Sequence, residues 1–294
     1  MTPLRSDTIS TKVPPAQNGS ADHLELYAEP GQYVSEELYW AKYYENSDFS
    51  YEWNNGRLEE KPMPDYVQYR LYLWFLGLVK DFLYVTESGR MIALELGFRM
   101  ALPHKVAIRK PDLAVVLNSN PIPLKDKDRS YKGIFDLCIE SISDSTQDEV
   151  ERDTVVKWQE YAAAGVKEYY VLDERGIETE FYRLNTNGAY VPLQPRQGVI
   201  HSQIMPGFQF RLADLYRLPE PPQLIEDPVY QGYVSPFLRA ERLRAEAERV
   251  RAEEATQRAE EERQRAEEAN LRAARYADLL KTMGINPDEL DQST

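Results

Sequence analysis

The sequence is short of the residues that build cross-links and metal cages. Its 294 residues include one cysteine, Cys138, so no intramolecular disulfide forms, and the apolar neighbours of Cys138 mark a buried thiol. Three scattered histidines, His23, His104 and His201, argue against a thiolate or imidazole zinc site. No window approaches the roughly 18 apolar residues that a membrane span requires. The first 23 residues contain no apolar segment of the signal-peptide kind. Positive charge is scarce as well: 35 Lys and Arg stand against 49 Asp and Glu, a net charge of −14. That balance argues against a protein that coats nucleic acid through a globally basic surface. No recognisable DNA-reading module is present. A cytoplasmic protein without a membrane association is the expectation.

Core material, in contrast, is ample, with 42% hydrophobic residues, enough for one or two domains. Residues 1–26 are polar and rich in Ser, Thr and Pro, and read as a disordered tail. "YVSEELYWAKYYEN" predicts a short helix capped by Ser35. "FSYEWNNGRLEEKP" predicts a hairpin turning at Asn-Asn-Gly. "DYVQYRLYLWFLGLVKDFLYV" is apolar almost all round at helical spacing, which predicts a long buried helix begun by Asp65. On it, Tyr66, Tyr69 and Tyr72 read as core-packing residues. "MIALELGFRMAL", "PDLAVVL" and "FDLCIESI" then read as strands covered on both faces. "DEVERDTVVKWQEYAAAG" is an amphipathic helix ended by Gly165, "KEYYVLDE" another strand, and "ETEFYRLNTNGAYVPLQ" a hairpin. The order predicts an α/β (α+β) domain over 27–218, with a mixed central sheet flanked by helices.

A Pro-rich linker is expected over 219–238, then a charged helix over 239–283 and a tail over 284–294. From Arg239 to Arg275 ten basic residues balance ten acidic ones, so most of the acidic excess lies upstream. "RAE" recurs every seven residues, which fits a coiled coil; the seam is mostly alanine and glutamate, which fits a solitary helix equally well. A homo-oligomer or a protein partner held through 239–283 follows from the first alternative.

Two carboxylates stand out. Asp112 opens the apolar run Leu113 to Leu117, and Glu140 interrupts "FDLCIESIS". An ionised carboxylate in a core is costly unless paired, so each needs a cation. For Glu140 an arginine such as Arg109 is one alternative. Two basic stretches, "RMALPHKVAIRK" and "KDKDRSYKG", flank Asp112; such stretches are usually solvated surface. On the helix after Glu140, Asp153, Lys157 and Tyr161 are spaced by four and share a face. The tight connection "SISDSTQ" predicts that Asp112, Glu140 and Lys157 converge at one end of the sheet. Two carboxylates that hold Mg²⁺ and one lysine that polarises a water form a kit for phosphoryl chemistry. Glu95, in the strand run before Asp112, is a further candidate for that ion.

"KPDLAVV", "DLCIESISDST" and "ERDTVVKWQEYAAAGVKEYYVLD" together resemble the signature of the Uma-two family of restriction endonucleases, within the PD-(D/E)XK nuclease superfamily. The resemblance covers roughly residues 27–218. It implies a restriction-endonuclease-like core and hydrolysis of phosphodiester bonds with Mg²⁺ (or Mn²⁺). By motif, Asp112 is the "PD" aspartate and Glu140 the second acidic metal ligand. Ile142 stands where a lysine is expected two residues after the acid. The family places that lysine on the following helix, here Lys157, with Asp153 and Tyr161 in support. Glu52 matches the glutamate before the family's turn glycine, Gly56. The family's histidine at the start of the long helix is absent from "MPDYVQYR".

The expected function is therefore a Mg²⁺-dependent endonuclease acting on DNA. Its rival is a non-catalytic binding or adaptor protein on a nuclease-derived fold, with the helical tail recruiting partners. A nuclease for RNA or single strands is a third possibility.

Overall fold

The computed structural model describes residues 31–46, 48–93, 96–142 and 146–284, with the side chains of all of these except Pro236 and Phe237. The expected N-terminal tail over 1–26, Glu95 and nearly all of the expected C-terminal tail lie outside the described residues. The chain divides into two compact units, Met1–Pro219 and Glu220–Thr294.

In the first unit, α1 (Glu36–Leu38) starts at Ser35, whose hydroxyl accepts a hydrogen bond from the Leu38 N–H at 3.2 Å, and continues as a π-helical turn, Tyr39–Tyr43. β1 (Tyr51–Asn54) and β2 (Arg57–Glu60) form the predicted hairpin. Its turn residues, Asn55 and Gly56, have φ values of 48° and 98°, the left-handed region that Asn tolerates and Gly enters freely. α2 (Tyr66–Thr86) is capped by Asp65, which accepts from the Gln68 N–H at 2.8 Å.

Only one face of α2 is covered, contrary to the buried helix expected. Leu71, Phe75, Leu78, Val79 and Phe82 are inside, whereas Tyr66, Val67, Tyr69 and Leu73 are exposed. The core-packing reading of Tyr66 and Tyr69 is thereby corrected. Tyrosine carries a polar tip and tolerates water, so counting it as apolar widened the predicted stripe. Tyr72 is half-buried, and its hydroxyl donates to the Asp112 carbonyl at 3.0 Å.

"MIALELGFRMAL" is two strands rather than one. β3 (Gly89–Ala93) belongs to a six-stranded sheet, while β4 (Phe98–Ala101) pairs antiparallel with β5 (Val106–Arg109) in a second sheet of order β2-β1-β5-β4. Gly97 stands just before β4: a Cβ there would come within 2.8 Å of the Arg109 carbonyl, so only glycine permits the close approach.

The six-stranded sheet is mixed. β6 (Leu113–Leu117) pairs antiparallel with β3 and with β7 (Leu137–Ser141). From β7 the chain passes through α3 (Gln147–Glu151), a π-helical turn (Arg152–Val156) and α4 (Lys157–Ala164) to β8 (Glu168–Leu172), which pairs parallel with β7. β9 (Glu180–Leu184) and β10 (Tyr190–Pro192) extend the far edge, giving the order β10-β9-β8-β7-β6-β3. Ala114, Val116, Cys138, Tyr161, Tyr169 and Val171 form one buried cluster, so α4 is clamped on the face of β6, β7 and β8. β11 (Val199–His201), β12 (Gln209–Arg211) and α5 (Asp214–Arg217) complete the unit.

In the second unit the Pro-rich stretch contributes α6 (Pro221–Leu224), whose capping box pairs Glu220 with Gln223 and whose prolines occupy the first turn, where no N–H is needed. α7 (Pro236–Thr282) is 47 residues long, about 70 Å at the α-helical rise. Its described side chains are exposed almost throughout. Arg249–Glu246, Arg258–Glu254 and Arg263–Glu260 pair along its surface, which adds a few tenths of a kcal/mol each. Since α7 supplies no core, truncation after Ser235 is expected to leave the cooperative melt of the remainder within about 3 °C of the full chain. Circular dichroism melts of the two proteins check this, and a lost transition would overturn it.

Candidate active site

Asp112 lies between β5 and β6 with its side chain about a quarter exposed (26%). Its Oδ2 accepts from the Ser141 N–H at 2.7 Å, which ties it to the end of β7. Its Oδ1 accepts from Lys61 Nζ at 2.8 Å, and the same ammonium donates to the Lys110 carbonyl at 2.6 Å. Glu140, the neighbour of Ser141 on β7, is fully buried. Its Oε1 accepts from the Tyr161 hydroxyl at 2.6 Å, and its Oε2 lies 3.0 Å from Lys157 Nζ. Lys157, the first residue of α4, is shared among three carboxylates: Asp153 at 2.9 Å, Glu140 at 3.0 Å and Glu52 at 3.3 Å. Each of the two suspect carboxylates thus has its own ammonium, Lys61 for Asp112 and Lys157 for Glu140. Arg109 is not the partner of Glu140.

Arg109 is instead the centre of a second, adjoining network. Fully buried, its guanidinium donates to both oxygens of Glu160, at 2.6 and 2.9 Å, to Glu52 Oε2 at 3.2 Å, and to Glu59. Lys105 reaches Glu160 at 2.5 Å. Glu52 joins the two networks: Oε2 faces both Arg109 and Lys157, and Oε1 accepts from the Lys110 N–H at 2.7 Å. The stretch "RMALPHKVAIRK" is therefore not simply solvated surface, because its last two residues, Arg109 and Lys110, are buried.

A cavity of about 220 Å³ opens on this assembly. Its charged lining is balanced, with Lys61, Arg152 and Lys157 against Asp112, Glu140 and Asp153, and Tyr69 and Tyr72 stand on its wall. Asp112, Glu140 and Lys157 come together as the sequence predicts, joined by Asp153. Tyr161 and Glu52 hold Glu140 and Lys157 from behind. The position of Glu95 is outside the described residues. Lys61, Arg152 and Glu160 went unrecognised in the sequence, and Arg109 was considered there only as a partner for Glu140. The only signal for Arg109 was its place in the basic run before Asp112; "EEKP" gave no signal for Lys61.

The electrostatics follow from burial and charge sharing. Burial pushes the Glu140 carboxyl up to about 8, and nearby Asp112 and Asp153 add to this, against the opposing pull of Lys157 and Lys61. The pull is insufficient because Lys157 divides its charge among three acids. Burial favours the neutral form of Lys157, but Asp153, Glu140 and Glu52 outweigh it and raise its pKa. Glu52 is also desolvated, yet Lys157 and Arg109 hold it well below the usual carboxylate range. For a carboxyl raised in the folded state, the stability it contributes is present at low pH and lost as pH rises through the folded value. The metal-free protein is therefore expected to lose stability between pH 4.5 and about 8, by up to a few kcal/mol from Glu140. Glu140→Gln should flatten that slope in thermal melts, and a parent slope left unaltered by the substitution would refute the assignment.

Among the described residues no group of three His, Cys, Asp or Glu gathers for a metal ion. Mg²⁺ does not require one, since it commonly takes one or two carboxylates and keeps several waters beside phosphate oxygens. Asp112 and Glu140 on the wall of one cavity fit that pattern, whereas a Ca²⁺ or Zn²⁺ cage is not furnished by the described residues.

A mixed-sheet α+β domain with paired acids and a helix lysine at one cavity is the architecture expected of the resemblance noted in the sequence. The chain belongs to the Uma2 family, described as "Putative restriction endonuclease", whose model matches residues 35–213. No curated protein matches the chain. Among solved structures it is similar to the crystal structure of "a putative nuclease belonging to DUF820" from Anabaena variabilis, with 16% identity over 57% of this chain and 90% of that one, at a TM-score of 0.45. No helix among the described residues is long and apolar enough to cross a membrane.

Proposed function

We propose that the chain is a Mg²⁺- or Mn²⁺-dependent endonuclease that hydrolyses phosphodiester bonds in DNA, acting in the cytoplasm. The observation that supports this most is the single cavity shared by Asp112, Glu140 and Lys157 in a member of this family. Asp112 and Glu140 would hold the ion. When bound, it supplies a Lewis acid that polarises the phosphate and acidifies a water. Lys157 faces the cavity from the start of α4, where its ammonium orients the attacking water and offsets the charge gathering on the phosphoryl group. Tyr161 fixes the Glu140 carboxylate by its hydrogen bond, and Asp153 and Glu52 hold Lys157 in place. Arg152 adds a further positive charge on the cavity wall.

Cleavage of plasmid, single-stranded DNA and RNA with Mg²⁺, Mn²⁺ or chelator tests the reading. Metal-dependent nicking of plasmid is expected, and the single-strand and RNA arms separate the other nucleic-acid substrates. The charge balance of the cavity, in which both acids already hold an ammonium, favours a second reading as a non-catalytic adaptor. Absence of cleavage on all three substrates, with nucleic-acid or protein binding retained, would support that reading instead. Along α7 the exposed Leu243, Val250 and Leu271 fall on one seven-residue phase, interrupted by Gln257 and Gln264, a second partial seam for a second copy or a helical partner.

A further inference from the structure

Lys61 has no part in the chemistry proposed above, yet its ammonium sits on Asp112, the first ligand of that proposal. We propose that Lys61 is a built-in competitor of the divalent ion: it neutralises Asp112 while the site is free of metal, yields when the ion binds, and so sets the metal concentration at which the site loads. The inference rests on the reading of Asp112 as a metal ligand.

Both oxygens of Asp112 are already engaged, Oδ2 by the Ser141 N–H at 2.7 Å and Oδ1 by Lys61 Nζ at 2.8 Å. An ion that binds Asp112 therefore shares a carboxylate with a cation already on it. Two like charges on one acid oppose each other strongly where solvent is largely excluded, and the Lys61 side chain is only 9% exposed. The cavity has no spare negative charge to absorb the excess, because three acidic and three basic side chains line it.

Of the two lysines, Lys61 is the one free to move aside. Lys157 is held by three carboxylates and sits in a helix clamped on the sheet. Lys61 is held by one carboxylate and one carbonyl, and it stands just past β2 in a stretch, 61–65, with no regular secondary structure. The Lys110 carbonyl, 2.6 Å from Nζ, is a partner that the ammonium can keep on leaving Asp112. The departing charge is thus not left without an acceptor, which lowers the cost of the exchange.

Isothermal titration of the full chain with Mg²⁺ and with Mn²⁺ tests the proposal without reference to cleavage. Lys61→Gln keeps a donor for the Lys110 carbonyl but loses the charge, and Lys61→Met loses both. Each is titrated after a metal-free melt shows a cooperative transition; if Lys61→Met does not fold, Lys61→Gln decides. Both are expected to bind the ion about tenfold more tightly than the parent, and Lys61→Arg, which keeps the charge, no more tightly than the parent. A parent that binds, with the neutral variants unchanged or weaker, overturns the role of Lys61 and leaves the metal site standing. A parent and variants that all fail to bind at millimolar metal overturn the metal site itself, and the proposal with it.

Discussion

Asp112→Asn is expected to lower phosphodiester cleavage by about a thousandfold or more, because it removes the charge of a proposed metal ligand while nearly preserving shape. The same substitution should abolish the rise in melting temperature that Mg²⁺ gives the parent. Folding should survive. The Asp112 side chain is about a quarter exposed (26%), and an asparagine oxygen can still accept the Ser141 N–H. Lys61 loses its carboxylate but keeps the Lys110 carbonyl. A cost of about 1–2 kcal/mol is therefore expected in the metal-free protein. Thermal melts and cleavage rates, each with and without Mg²⁺, read both effects. A metal-indifferent parent whose Asp112→Asn variant is only less stable would make Asp112 a structural residue that joins β6 to β7.

The largest loss of stability is expected from Arg109→Met. Arg109 is fully buried and serves Glu52, Glu59 and Glu160 at once. Methionine fills much of the volume but leaves these carboxylates to the remaining cations, Lys105 for Glu160 and Lys157 for Glu52. Removing one partner of a buried ionic network costs about 3–5 kcal/mol, or roughly 10 °C in melting temperature for a domain of this size. The deficit should shrink as pH falls toward 4, since Arg109 helps hold Glu52 well below the usual carboxylate range and its removal lets Glu52 take up a proton. Denaturant unfolding at pH 7 and pH 4.5 measures this. A deficit under about 1 kcal/mol at pH 7 would mean that the network adapts to the loss.

The elements were legible wherever a local signal fixed them. Asp65 and Ser35 as caps, Asn55-Gly56 as a hairpin turn and Gly165 as a helix end all act through a few neighbouring residues. The acids of the site were legible for another reason: a carboxylate inside an apolar run is costly, so Asp112 and Glu140 announced themselves. Lys157 was legible beside them through its spacing from Asp153 and Tyr161, but Lys61 and the acids around Arg109 were not. Lys61 is 51 residues from Asp112, and Arg109 is 51 from Glu160. Lysine and arginine in a basic stretch look the same whether their heads reach water or a buried acid, because only the tertiary fold decides. The split of "MIALELGFRMAL" between two sheets was hidden in the same way. Both halves have strand character, and the close approach of Gly97 to the Arg109 carbonyl, just before the second half, is a tertiary contact.

The π-helical turn ahead of Lys157 has a bearing on inheritance. There the Lys157 N–H donates to the Arg152 carbonyl, five residues back, so the helix carries one residue more than an α-helical path would need. A single-residue deletion at 154, 155 or 156 would let ordinary α-helical bonding close, with Asp153 and Lys157 then three residues apart. Every acid and lysine named above would survive such an event in the gene, and at a spacing of three Asp153 and Lys157 still share a helix face. A one-codon gap at that turn would therefore leave these side chains together, and a motif that fixes their spacing at four would pass over the descendant that carries it.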